Sequence, residues 1–228
     1  MEFTASTISI TLEKGDRISA VLAVPGGFAA GEGSAFAIAH GAGNDMHNPL
    51  IVTLAEGFAR AGYLSIRFNF PYREKGKKAP DPRTKLVDAW AGVCRYLKED
   101  PDCRAGRIIA GGKSMGGRIA SEMAAEGRLP ADRLILFGYP LHPPGKKEQR
   151  RDAHLNRITI PMLFFAGTRD PLCDLAVLKD VLGGLTASWD LEVIEGGDHS
   201  FHPPRCMAAC FEEVYANILE RALQWLGH

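Results

Sequence analysis

No stretch of this sequence is apolar for the roughly 20 residues that a membrane-spanning helix needs. The opening MEFTASTISI has no basic region followed by an apolar run, so no secretory leader is expected. An excess of one charge is lacking too. Lys plus Arg and Asp plus Glu number 27 each, and the formal net charge of zero removes any global electrostatic case for nucleic acid or an anionic membrane as partner. The cysteines, Cys94, Cys103, Cys173, Cys206 and Cys210, are odd in number and contain no CxxC pair. That fits reduced thiols in the core of a cytoplasmic protein better than a disulfide framework. The histidines are scattered, with no HExxH and no Cys/His cluster, so no metal site is expected. What remains is an ordinary globular composition over 228 residues, with no repeat and no linker. Residues 1–228 therefore read as one domain.

Residues 6–13 alternate apolar and polar, turn at Lys14-Gly15-Asp16, and alternate again over 17–25, the pattern of a β-hairpin. After a small-residue loop the pattern changes to short apolar strands, expected at 35–40, 63–70, 107–112, 133–139, 158–167 and 189–195. Helices are expected between them. Asn48-Pro49 opens the first, with Asn as N-cap and Pro at the first helical position, and Gly62 ends it. Asp81-Pro82 opens the second in the same way. The last, about 205–226, should bury Met207, Phe211, Val214, Ile218, Ala222 and Trp225. Such alternation predicts an α/β fold: a mostly parallel sheet with helices on both faces and an antiparallel hairpin at one edge. Ligands of such sheets bind at the carboxyl ends of the strands.

Residues of chemical interest fall at those ends. The strand from Arg107 runs into Gly112-Lys113-Ser114-Met115-Gly116-Gly117, a G-x-S-x-G turn in which small residues allow a tight path from strand to helix. The turn would present the Ser114 hydroxyl and aim the Met115 N–H at a developing oxyanion. Gly112-Lys113-Ser114 also resembles the end of a phosphate-binding loop, but that motif needs Gly where Arg107 stands. Further along, Gly167-Thr168-Arg169-Asp170-Pro171 and Gly196-Gly197-Asp198-His199 end two strands, giving the chain order Ser, acid, His. The expected catalytic set is Ser114, His199 as general base and acid, and Asp170 orienting it. Asp174 is a substitute acid that reads better as a helix start, and His202 is the rival base. Asp198 is expected to shape its loop. His40-Gly41-Ala42-Gly43 would supply the second oxyanion donor, from the N–H of Ala42 or Gly43, with His40 anchoring the loop.

These features together resemble the α/β-hydrolase superfamily across nearly the whole chain. Gly112–Arg118, Gly167–Pro171, Tyr139–Gly145 and Arg151–Leu155 look most like a small dienelactone-hydrolase-like group of bacterial hydrolases. That group is also similar to a hydrolase-like domain of eukaryotic chromatin-associated scaffold proteins, some lacking an intact triad. The resemblance implies an eight-stranded core, acyl hydrolysis and no cofactor. Dienelactone hydrolase uses a cysteine nucleophile where this chain has Ser114, which weighs against lactones.

The expected partner is a small ester or thioester. Its contacts would come from Lys113, from His142 in the Tyr139–Gly145 segment, and from His40 beside the oxyanion loop. The segment 141–157 is short, so no cap domain is expected. Two basic clusters, Arg73 to Lys85 and Lys146 to Arg151, leave two readings open: a positive rim selecting an anionic substrate, or a solvated surface neutralised by interspersed acids. The alternative to an enzyme is a non-catalytic scaffold of the same fold, though a scaffold has no physical need for all three catalytic residues.

Overall fold

A computed structural model describes residues 1–204 and 210–227. Eight strands form one sheet in the order β1-β2-β4-β3-β5-β6-β7-β8. The hairpin of β1 (Phe3–Thr11) and β2 (Arg17–Pro25) is antiparallel, and β2 also runs antiparallel to β4 (Leu64–Phe68). From β4 onward β3 (Ser34–Ala39), β5 (Arg107–Lys113), β6 (Arg133–Phe137), β7 (Met162–Gly167) and β8 (Trp189–Ile194) are all parallel. This is the expected α/β-hydrolase architecture with its edge hairpin.

The central strands β3, β5, β6 and β7 bury both faces, which is why they read as continuous apolar runs. Phe36, Ile38, Ile109, Ile135 and Phe137 face one core layer, packed against α1 (Pro49–Arg60) and α6 (Phe211–Leu226). Their neighbours Ala35, Ala37, Ile108, Ala110, Leu134 and Leu136 face the other, packed against α3 (Arg83–Glu99), α4 (Met115–Ala125) and α5 (Leu175–Gly183). The chain leaves β3 for α1 on the first face and leaves β5 for α4 on the second. A crevice opens where those directions diverge, as in other open parallel sheets. No helix among the described residues is long and apolar enough to cross a membrane.

Several local expectations need correction. Asn48 stands at the N-cap of α1, but its side chain makes no cap hydrogen bond. The second long helix begins at Arg83 with Pro82 at its N-cap, so Asp81 lies outside it. A four-residue helix, α2 (Pro71–Glu74), had no periodic signal to announce it. In α6 the buried residues are Tyr215, Ile218 and Ala222, whereas Phe211 is 40 % exposed at the helix start. Arg205 to Ala209, with Met207 and Cys206, lie outside the described residues.

Tight backbone crossings position the carboxyl edge. A Cβ on Gly112 would stand 2.2 Å from the Gly117 nitrogen, and one on Gly116 would stand 2.6 Å from the carbonyl oxygens of both Ala39 and His40. These are backbone atoms and cannot swing aside. Gly112→Ala should therefore lower stability by about 3 kcal/mol, a fall in Tm of about 6–12 °C for a chain of this size. Gly183, at the end of α5, has open space within 4 Å of where a methyl group would stand, and an ordinary φ. Gly183→Ala should be neutral or stabilising by up to about 1 kcal/mol. Thermal melts of the two variants against wild type check both signs.

Candidate active site

Ser114 occupies the turn between β5 and α4 with φ 50° and ψ −116°, a left-side conformation rare for a residue with a side chain. The glycines around it allow α4 to start while its backbone touches β5. The Ser114 N–H donates to the Phe137 carbonyl at 3.0 Å, and Trp90 Nε1 donates to the Gly116 carbonyl at 3.2 Å, pinning the turn from both sides.

The ends of β7 and β8 are stitched together to deliver the other two side chains. A Cβ on Gly167 would meet the Gly197 carbonyl oxygen at 2.2 Å, and the Arg169 N–H donates to that oxygen at 2.9 Å. The Gly196 N–H donates to Thr168 Oγ1 at 2.8 Å. Across this seam His199 Nδ1 donates to Asp170 Oδ2 at 2.7 Å, and the Ser114 hydroxyl donates to His199 Nε2 at 2.9 Å. Asp170 is buried, and its Oδ1 accepts from the Leu172 N–H at 2.8 Å. Because an ionised carboxylate only accepts, this arrangement sets the proton of His199 on Nδ1 and leaves Nε2 to accept.

The alternatives are engaged elsewhere. Asp174 caps α5 through the N–H groups of Ala176 and Val177 and pairs with Lys147. His202 Nε2 lies 3.1 Å from the Tyr215 hydroxyl. Asp198 Oδ1 accepts from the N–H groups of Ser200 and His202, the loop-shaping part expected of it. Phe201, with φ 65°, is fully buried and plugs the same loop into the core.

Of the candidate oxyanion donors, the Ala42 and Met115 N–H groups donate to no described residue, and both residues border the cavity beside Ser114. The Gly43 backbone is directed at the Tyr72 hydroxyl. Tyr72 also donates to the Gly41 carbonyl at 3.4 Å, bracing the loop. Nothing in the sequence pattern distinguishes Tyr72, Trp90 or Phe201 from ordinary core aromatics.

His40 and His142 do not reach substrate space, contrary to expectation. Each ring is almost wholly buried and committed at both nitrogens to the backbone. His40 Nδ1 donates to the Gly41 carbonyl at 2.8 Å while its Nε2 accepts from the Phe70 N–H. His142 does the same between the Pro143 carbonyl and the Asp174 N–H. Burial lowers the His40 pKa to about 4. Part of the positive rim is paired with acids as well. Arg73 pairs with Asp45, Lys75 and Lys85 with Asp16, Arg83 with Glu122 and Glu126, and Arg150 with Asp152.

Ser114 lies where two cavities meet. One, of about 840 Å³, runs between the amino ends of α1 and α6 past Lys113, His199 and Tyr215. The other, of about 470 Å³, is bordered by Leu86, Met115, Arg118 and Pro140. Between β6 and β7 the chain forms only turns and a short 3-10 helix at Leu155–Arg157.

Residues 32–227 match the alpha/beta hydrolase domain family. The chain belongs to that family. Among solved structures it is similar to a dienelactone hydrolase from Anabaena variabilis (TM-score 0.73, 21 % identity, 96 % of this chain and 97 % of that one). It is also similar to Est1E from Butyrivibrio proteoclasticus, solved with ferulic acid bound (TM-score 0.76, 18 % identity, 97 % and 100 %). A third likeness is to a lidless α/β serine hydrolase from Xanthomonas campestris (TM-score 0.71, 18 % identity, 100 % and 98 %). A Bradyrhizobium protein described as a probable 2-oxo-3-(5-oxofuran-2-ylidene)propanoate lactonase is 27 % identical over 175 residues, 68 % of each chain.

The His40 staple on the loop after β3 makes the stability of this hydrolase depend on pH. The folded His40 ring holds a proton less well than the unfolded one, whose pKa is near 6.5, so protons favour unfolding between pH 6.5 and about 4. Its contribution is complete above pH 6.5 and falls by about 2.5 kcal/mol on going to pH 4.5. Urea midpoints at pH 7.5 and 4.5 should differ less in His40→Gln, which cannot titrate, than in wild type. An equal difference in both proteins would show that the ring is not held neutral.

Proposed function

We propose that this protein hydrolyses small carboxylic esters, thioesters or lactones through an acyl-enzyme on Ser114. The observation that carries the reading is the unbroken chain from the Ser114 hydroxyl through His199 to buried Asp170, at 2.9 and 2.7 Å, on a turn that lifts the hydroxyl to the junction of two cavities. In the first half-reaction Ser114 Oγ bonds to the substrate carbonyl carbon as its proton passes to His199 Nε2. The carbonyl oxygen becomes an oxyanion between the Ala42 and Met115 N–H groups. The bond from that carbon to the leaving oxygen or sulfur then breaks, and His199 returns the proton to the leaving group. Water repeats the sequence: His199 takes its proton, the hydroxide portion adds to the acyl carbon, and Ser114 leaves reprotonated with release of a carboxylic acid.

Asp170 keeps the proton on Nδ1 and stabilises the imidazolium formed at each step. Lactones enter the proposal through the Bradyrhizobium relative, against the expectation drawn from the serine nucleophile. A lactone is an internal ester whose alcohol stays tethered to the acyl group. The free thiols of Cys94, Cys103, Cys173 and Cys210 favour a reducing compartment such as the cytoplasm.

Fluorophosphonate labelling followed by intact mass tests the nucleophile. Wild type should gain one label and Ser114→Ala none. Asp170→Asn should keep the fold and lose about 10³–10⁴-fold in kcat on a small ester, since the wrong tautomer then faces Ser114. A folded wild-type protein that takes no label would overturn the proposal in favour of a non-catalytic scaffold.

A further inference from the structure

Lys113 is the last residue of β5 and immediately precedes Ser114. The alternation along β5 points it to the α1/α6 face, where it borders the larger cavity, and only 7 % of the residue remains exposed. Its methylene stem lies beside Gly41, and its ammonium reaches Gly138 and the His199 loop. A Cβ on Gly138 would stand 3.0 Å from Nζ and 3.2 Å from the His199 carbonyl oxygen. Nζ sits 5.7 Å from the centre of the Phe201 ring.

An ammonium group held this deep calls for an anion or several hydrogen-bond acceptors, because desolvation of an unpaired charge is expensive. Among the described residues Lys113 has no hydrogen-bond or ion-pair partner, and the acids nearest it are engaged elsewhere. Asp170 is taken by His199 and the Leu172 N–H. Asp198 is taken by two backbone N–H groups. The cation–π contact with Phe201 offsets only part of the loss. A second feature points into the same cavity: α1 begins there at Asn48, Pro49 and Leu50 with no side chain capping its first turn and no acid within it. The positive end of a twelve-residue helix thus faces the space beside Lys113.

We propose that the larger cavity is an acyl pocket with a carboxylate-binding floor, and that Lys113 selects esters, thioesters or lactones whose acyl part carries a carboxylate a few bonds from the reacting carbonyl. The inference rests on Ser114 being the nucleophile and adds the substrate class. The carboxylate completes the shell that Lys113 lacks, and the uncapped end of α1 adds to the attraction. The partly paired outer rim plays no part: selection is exercised inside, where desolvation makes one charge count for more.

Selection by Lys113 carries a pH signature. Burial lowers the Lys113 pKa to about 8, the nearby charges of Asp170 and Asp198 acting in the opposite direction. Among the described residues, the other titratable groups bordering the cavity are His199, His202, Glu212, Tyr215 and Cys210. His199 serves charged and neutral esters alike, so its titration cancels in their ratio. Preference for the anionic ester should therefore be full below pH about 8 and fade above it as the ammonium loses its proton.

The test compares kcat/KM for monoethyl succinate and ethyl butyrate, which have acyl chains of equal length, by ethanol release at pH 7 and pH 9.5. Wild type should favour monoethyl succinate by tenfold or more at pH 7, with the ratio moving towards unity at pH 9.5. Lys113→Met should bring the ratio near unity at pH 7, and Lys113→Arg should restore part of the preference; fluorophosphonate labelling reports whether each variant has folded. The wild-type pH comparison stands whether or not the variants fold. Labelled wild type that turns over ethyl butyrate as well as monoethyl succinate, or turns over neither, overturns the carboxylate site alone. Absence of both label and turnover overturns the serine-hydrolase reading and this inference with it.

Discussion

Backbone meets backbone where α4 leaves β5, and this contact dictates the rest of the carboxyl edge. Gly112 and Gly117 approach so closely that a methyl group on either would overlap the other's main chain, and Gly116 is pressed against the carbonyls that end β3. With no room to turn gradually, the chain changes direction at one residue, and Ser114 takes a φ of 50°. In the proposed reaction the strain has a chemical use. It places a hydroxyl above the sheet at the start of a helix, with the Met115 N–H beside it and the Ala42 N–H across the crevice. A looser turn would separate these groups even if the same residues were present.

The same device recurs at the other half of the site. Gly167 and Gly197 allow the loops after β7 and β8 to touch, which brings the carboxylate of one to the imidazole of the other. The Asp170–His199 contact is thus set by packing of two strand ends, and the side chains need little freedom to find one another. Phe201, buried at a positive φ two residues past His199, locks that loop down, and Lys113 runs beneath it. Ser114, Asp170 and His199, the proposed nucleophile, acid and base, each stand past the end of a different strand, and the sheet's own register holds their spacing.

Much of this was legible because glycines and strand ends leave marks in a sequence. The spacing around Ser114, the order Ser, Asp, His, and the alternation of apolar strands with helices carried both the fold and the residues that come together. Contacts made by residues without special spacing were not legible. His40 and His142 look like any histidine near a strand end until the backbone groups on both sides of each ring are known. The basic clusters gave no hint that Asp16, distant in sequence, would pair with both Lys75 and Lys85. Asn48 and Phe211 misled for a common reason: both border the large cavity, where a cap or a buried ring would close the space that the site leaves open.

Three histidines at this end of the sheet share one geometry and differ in consequence. His40, His142 and His199 each direct Nδ1 at an oxygen and offer Nε2 to a donor. For His40 and His142 the donor is a backbone N–H, whose proton cannot be transferred, and the oxygen is a neutral carbonyl, which does little to stabilise a positive ring. Full burial then lowers the His40 pKa to about 4 and keeps the ring neutral near pH 7. For His199 the donor is a hydroxyl able to release its proton, and the oxygen belongs to a carboxylate that favours the charged ring as it forms. The capacity for acid–base chemistry is therefore decided by the two atoms facing the imidazole. Exchanging a carbonyl for a carboxylate, and an amide for an alcohol, separates a structural staple from a base.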